Sequence, residues 1–242
     1  MRVMPDPTAI DPGIAEPLVG PQLAWTLALA GYVIALLFAL RWPYEAMVRR
    51  GVEPIRAVYY TRKLVHMLAA GVPSLAVPLV FTSPVYPVAS GAALGLLLYG
   101  THATGRRMHW FQIEENMNDV SFAVMWWVTV AVLWWGFGDP WLAILPGLFM
   151  AFGDGITGVV RNFFIRRRTK HVLGNVFMLA VSLPLGIVLA GQADPALAVW
   201  GGLAAVVASV VERYEFGPID DNVLIAVAST AVLALGQAWV GS

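Results

Sequence analysis

The sequence contains no cysteine. That excludes disulfide staples, thiolate nucleophiles and cysteine-bound metals, so a metal site would have to rest on oxygen donors or on the four histidines. Charge is scarce as well: 12% of residues are Asp, Glu, Lys or Arg, and 15 basic residues balance 15 acidic ones. No positive excess is left to grip a nucleic acid, which argues against that class of partner. The basic opening of a cleavable signal peptide is missing too. Residues 1–21 instead carry prolines at 5, 7, 12, 17 and 21 together with three acids. They read as a disordered tail ahead of a single transmembrane domain, 22–242.

What the chain has in abundance is apolar surface, 59% hydrophobic residues with a mean hydropathy of +0.71. The expected fold is an all-α polytopic transmembrane bundle. Since about 20 apolar residues cross the hydrocarbon, eight spans are expected, near 22–40, 64–82, 84–101, 120–138, 140–160, 172–191, 195–212 and 222–240, with seven or nine as the alternatives. The basic residues order this count. Arg41, Arg49, Arg50, Arg56, Arg62 and Lys63 precede the second span, and Arg106 and Arg107 precede the fourth. Arg161, Arg166, Arg167, Arg168 and Lys170 follow the fifth, and Arg213 follows the seventh. Eight crossings put all of them on one face, which the positive-inside rule makes cytoplasmic, with both termini on the outer side. The opposite loops, "FTSP", "GFGDPW" and "GQADP", are short, so chemistry is expected at the cytoplasmic face.

Four stretches at that face carry polar residues that a bilayer tolerates poorly. "AFGDGITGVVRNFF" sets Asp154 roughly 22 Å along a span that starts at the outer surface, by helical rise, where an uncompensated carboxylate costs on the order of 3 kcal/mol. In a helix Asp154, Gly158 and Arg161 share a face. The acid is either one half of a buried ion pair or part of a cavity that receives a metal or phosphate. "GDGITG" also fits a dinucleotide glycine fingerprint, but an apolar span rather than a strand precedes it, so the glycines read better as points of close approach. Lys170 and Arg161 could clamp a triphosphate, with Lys170 near the start of the next helix; Arg166–Arg168 read most simply as a topogenic, headgroup-facing patch. "ERYEFGPIDDN" packs Glu212, Glu215, Asp220 and Asp221 before the last span; one of the adjacent aspartates can cap that helix while the other points elsewhere. Carboxylates without cysteine suit Mg²⁺. "TRKLVHMLAAG" places Arg62 and His66 one turn apart beside Lys63, and "HWFQIEENMND" has an amphipathic look, either a lid for lipid entry or a connector along the interface. The tryptophan pairs at 126–127 and 134–135 read as belt or packing aromatics, and "GAALG" and Gly201–Gly202 as helix contacts.

"RKLVH" (62–66), "GDGITGVVRNFF" (153–164), "KHVLGN" (170–175) and Glu212 with "IDDN" (219–222) together resemble the membrane-embedded polyprenol kinase family, which includes dolichol and phytol kinases. The resemblance runs in order over residues 60–225. It departs at "VVRN" and at "KHVLGN", where Leu173 stands in place of an acid. It implies a catalytic domain that takes CTP as phosphoryl donor, Mg²⁺ or another divalent cation, and an isoprenoid alcohol such as dolichol, phytol or geranylgeraniol as acceptor in the bilayer; a homodimer is compatible with it. Catalysis is expected at Asp154, Asp221, Asp220 and His66. Arg161, Lys170, Gly174, Asn175, Arg62, Lys63 and Asn222 are expected at the nucleotide, and Asp154, Asp220, Asp221 and Glu212 at the cation. Two other readings share the same charges: a CTP-dependent lipid cytidylyltransferase of the CDP-lipid synthase kind, and a lipid or ion transporter without nucleotide chemistry.

Overall fold

A computed structural model describes residues 12–164, 172–217 and 219–241. The fold is an all-α polytopic bundle, with no strand among the described residues. Its helices are α1 (Pro12–Ala39), α2 (Arg41–Arg49), α3 (Pro54–Leu64), α4 (Val72–Val80), α5 (Val85–Ala103) and α6 (Asn118–Phe137). They continue as α7 (Pro140–Leu148), α8 (Gly155–Phe164), α9 (Val172–Ala193), α10 (Ala198–Val211) and α11 (Asp221–Val240). Two wider π-helical segments, Val65–Gly71 and Phe149–Asp154, join α3 to α4 and α7 to α8. Six of the resulting helices are long and apolar enough to cross a membrane: Gly20–Arg49, Pro54–Val80, Asn118–Phe137, Pro140–Val160, Val172–Ala193 and Asp221–Val240. The remaining two expected spans are also helical; Val85–Ala103 is not among the six, and Pro195–Val211 is apolar but shorter.

Local chemistry sets the helix ends. Asp139 accepts a hydrogen bond from Leu142 N at 2.9 Å with Pro140 behind it, so α7 opens on a capped turn. Asp220 does the same for α11 through Val223 N at 3.1 Å. Gly138 closes α6 in the left-handed conformation, φ 76°. Pro73 lacks the N–H that would close an α-turn just after the first π segment, and the carbonyl of Leu68 accepts from Tyr32 Oη at 3.1 Å. Two differences from the sequence reading matter for the site. Helix α1 is described from Pro12, inside the stretch set aside as a tail. The second span starts at Pro54 rather than 64, so Arg62 and Lys63 lie buried within a helix instead of in a basic loop.

The core runs along Pro140–Val160, where Leu142, Ile144, Leu145, Leu148, Phe149 and Met150 are fully buried. Against it pack α6, α9 and α11, while α10 closes on α9 where the backbones of Gly186 and Gly201 touch. Bare glycines bring these helices together as packing in lipid requires. Gly91 and Gly95 likewise seat α5 on α6, against Trp126, Trp127 and Val124. Trp134 is buried and Trp126 donates to Ser74 Oγ at 2.7 Å, whereas Trp135 is exposed.

Candidate carboxylate site between the helix ends

Three acids from three separate stretches of sequence converge. Carboxylate oxygens of Asp154, Glu212 and Asp221 lie within 4.8 Å of one another. Asp154 ends the second π segment, Glu212 follows the last turn of α10, and Asp221 begins α11. Asp154 and Glu212 are buried and Asp221 is partly so. Lys63 Nζ meets Asp154 Oδ2 at 2.5 Å, and Asp221 and Tyr59 lie within electrostatic reach of the same ammonium. Three carboxylates gathered this closely, two of them buried, form a concentrated set of oxygen donors. A purely oxygen donor set of this kind fits a hard divalent cation such as Mg²⁺ or Mn²⁺, so the residues present fit the cation that the sequence implied.

Neighbouring groups fix the donors. Thr157 Oγ1 donates to the Asp154 carbonyl at 2.8 Å and lies 3.2 Å from Asp154 Oδ1. Asn175 Nδ2 reaches Glu212 Oε2 at 3.2 Å and also donates to the Ser209 carbonyl, while Ser209 Oγ donates back to Asn175 O at 2.8 Å. This two-way clasp ties the start of α9 to the end of α10. The glycines of "GDGITG" do what close approach demands. A Cβ on Gly153 would strike Ser182 and Met178 of α9, and one on Gly155 would sit 2.8 Å from Met67. One on Gly158 would sit 2.5 Å from both Lys63 Cε and Tyr59 Oη, so this bare backbone is what lets the Lys63 stem pass to Asp154.

The remaining expected residues divide clearly. Asp220 is not in the carboxylate group: one oxygen caps α11, and the other accepts from Ser121 Oγ and, at 3.3 Å, from Asn222 Nδ2. Asn222 is buried and also donates to Asn118 O at 3.1 Å, joining α11 to the start of α6. Arg62 Nε donates to the Phe111 carbonyl at 3.2 Å. His66 is buried, stacks on Phe122 with ring centres 4.1 Å apart, and has no hydrogen-bond partner on either ring nitrogen among the described residues. Gly174 is buried in the first turn of α9. Lys170 lies outside the described residues, as does the side chain of Arg161.

Sequence reasoning passed over Thr157, Ser121 and Ser209, whose only signal was their place within one turn of a buried acid, and Tyr59, one turn before Lys63. The segment "HWFQIEENMND" packs more deeply than its amphipathic look suggested: Trp110, Phe111 and Gln112 are buried together with the preceding Met108, and Trp110 Nε1 donates to Leu37 O at 2.8 Å. Asp119 is buried beneath them, accepting from Gln112 Nε2 at 2.6 Å with His102 Nε2 at 3.0 Å, while Glu115 faces outward. The segment is a plug pinned to α1, α3 and α5. No family model, curated protein or solved structure matches this chain.

Proposed function

We propose that this chain is a CTP-dependent isoprenoid-alcohol kinase that works at the cytoplasmic face of a membrane it crosses eight times, with both termini outside. One observation carries the reading: Asp154, Glu212 and Asp221, drawn from sites 58 and 67 positions apart in sequence from Asp154, meet within 4.8 Å beside Lys63. Gathering three carboxylates from distant parts of the sequence at one place in a bilayer protein is costly unless its function uses them. The basic loops supply the orientation, and the family-like motifs supply the nucleotide and the acceptor class.

In this reading Asp154, Glu212 and Asp221 hold a divalent cation, which when bound neutralises charge on the β- and γ-phosphates of CTP. Lys63 presents its ammonium at the same place, and Arg161 and Lys170 add positive charge for the triphosphate; transfer of this kind rests on positioning and electrostatics. The alcohol oxygen attacks the γ-phosphorus, the bond from that phosphorus to the β-bridging oxygen breaks, and CDP leaves. The hydroxyl proton passes to a nearby base, for which Asp221 is the first candidate and His66 the second. Asp220, engaged as a cap, orients Asp221 without contacting substrate.

The test is label transfer by purified protein in nanodiscs containing an isoprenoid alcohol. Label from [γ-³²P]CTP in the lipid, abolished by EDTA and restored by Mg²⁺, is the expected result. Label from [α-³²P]CTP would make the protein a cytidylyltransferase. Liposome flux of lipid or ion with no nucleotide consumed would displace both enzymatic readings.

A further inference from the structure

A second feature lies beside the carboxylates and takes no part in them. A cavity of about 320 Å³ opens between α1, the first π segment with α4, α5 and α6. Its axis can be read from two contacts on α1. Trp110 Nε1 holds Leu37 O at the end where the plug sits, and Gln22 Oε1 accepts from Thr82 N at the other. Along the wall from His66 to Phe81 there are 15 residues, about 22 Å of helix. Val33, Ala69, Val77, Leu94 and Phe81 typify the lining. The ionisable side chains on the wall, His66 and Asp119, both lie toward the plug.

These two differ in what they are committed to. Asp119 is held by His102 and Gln112. His66 is buried with 4% of its surface exposed, and neither ring nitrogen has a hydrogen-bond partner among the described residues. A buried imidazole left in that state is costly unless something donates to it or accepts from it. It also stands between the two sites, because it lines the cavity and lies one helical turn beyond Lys63, whose ammonium holds Asp154. An occupant must therefore be an apolar chain many carbons long with one small polar group at the cytoplasmic end. The lining mixes short side chains, Ala30, Ala69 and Ala93, with larger ones such as Val33, Leu94 and Phe81, and side chains of such uneven length suit methyl branches better than a smooth acyl chain.

We propose that this cavity is the acceptor subsite: it holds the prenyl chain of the isoprenoid alcohol and places the hydroxyl at His66, facing the carboxylates. The assignment of the hydroxyl as the group phosphorylated rests on the kinase reading above; occupancy by a prenyl chain does not. His66 makes the contact that selects an alcohol, and α1 is the wall past which the chain enters from the bilayer, since the protein buries only 11% of its apolar stretch.

The experiment needs no nucleotide. The full chain in nanodiscs is irradiated with a diazirine-bearing geranylgeraniol and the labelled residues are mapped by mass spectrometry. Label should fall on Val33, Val77 and Leu94, and unlabelled geranylgeraniol should suppress it at least about fivefold while a saturated unbranched alcohol of equal length does not. Ala30→Trp, which fills the cavity, should give a similar loss, and the milder Ala30→Leu a partial one if the larger residue disturbs folding. Leu27→Trp, on the outward face of α1 and 65% exposed at present, should change nothing. Label scattered over outward faces, or equal competition by the saturated alcohol, would overturn the proposal. Cavity labelling without γ-phosphate transfer would remove the kinase reading and leave the prenyl site standing; transfer with no cavity labelling would do the reverse.

Discussion

Helices Gly20–Arg49 and Pro140–Val160 are both apolar enough to span a bilayer, and the first is the more apolar. Yet the protein buries 83% of the apolar stretch of Pro140–Val160 and only 11% of that of Gly20–Arg49. In water the more apolar helix would be the core. In lipid, hydropathy locates a span without ranking its burial, because acyl chains satisfy an apolar side chain as well as protein does. Glycines and an intramembrane acid identify the central helix, which carries Asp154 on a rigid support. The peripheral helix forms one wall of the apolar cavity, the place where the proposed prenyl substrate would enter. On the proposed reading, the deeply packed helix carries the reaction centre and the lipid-facing helix borders the lipid port.

The sharpest way to break this comparison is at its rigid end. Asp154→Asn should lower γ-phosphate transfer by about 10³-fold or more, the scale for losing a group that organises transition-state charge. Lys63→Met should lower thermal stability sharply, since removing one partner of a buried pair costs about 3–5 kcal/mol. The double variant Lys63→Met with Asp154→Asn should recover much of the melting temperature and none of the activity. Recovery of activity would make the pair structural only.

Next in size is the division of labour between adjacent aspartates. Asp221→Asn should cost about 10²-fold or more in transfer and raise the Mg²⁺ requirement, as expected of a lost cation ligand. Asp220→Asn keeps the cap to Val223 N but turns the oxygen that accepts from Ser121 and Asn222 into a donor, so it should cost about 1 kcal/mol in a thermal melt while transfer stays within about tenfold of the parent, and Asp220→Ala, which also loses the cap, should cost more stability. Equal losses at both positions would contradict the separation of Asp220 from the carboxylate group.

A smaller effect tests the glycines on the central element. Gly158→Ala pushes a methyl against Lys63 and Tyr59, and should reduce transfer about tenfold by displacing the ammonium. Gly191→Ala has only Ala198 Cβ at 3.7 Å before it, so activity should hold and stability rise by about 0.4–1 kcal/mol. If the two variants behave alike, close approach at Gly158 is not what positions Lys63.

How much of this was legible beforehand follows from the physics of each element. Asp154, Glu212 and Asp221 stood out because acids near apolar spans are expensive, and "IDD" gave the choice between cap and ligand without deciding it. Lys63 was expected at the nucleotide because the resemblance carried by "RKLVH" implied it. Nothing in composition says that the helix begins at Pro54 and carries that lysine inside to Asp154. The π segments left no pattern of their own, since a widened turn changes which residues share a face without changing which residues are apolar. The cavity was invisible for a related reason. When every helix is apolar all round, periodicity cannot separate a wall from a lipid-facing surface.

The plug is where that failure is most instructive, and it supplies the smallest effect. "HWFQ" has one apolar side and reads as interfacial, but the indole N–H of Trp110 needs an acceptor and finds one in Leu37 O, near the end of α1. Trp110→Phe keeps most of the ring and loses that hydrogen bond, leaving a buried carbonyl short of one donor, so a cost of about 1 kcal/mol in thermal stability is expected. Because the contact ties the plug to the loosely embedded α1 rather than to the carboxylate helices, the change should appear in the apparent KM for the alcohol and in the labelling of the cavity. The kcat at saturating alcohol and the Mg²⁺ dependence should stay unchanged. A fall in kcat with an unaltered KM would mean that the plug supports the reaction centre directly, and the separation between fixed centre and lipid port would not hold.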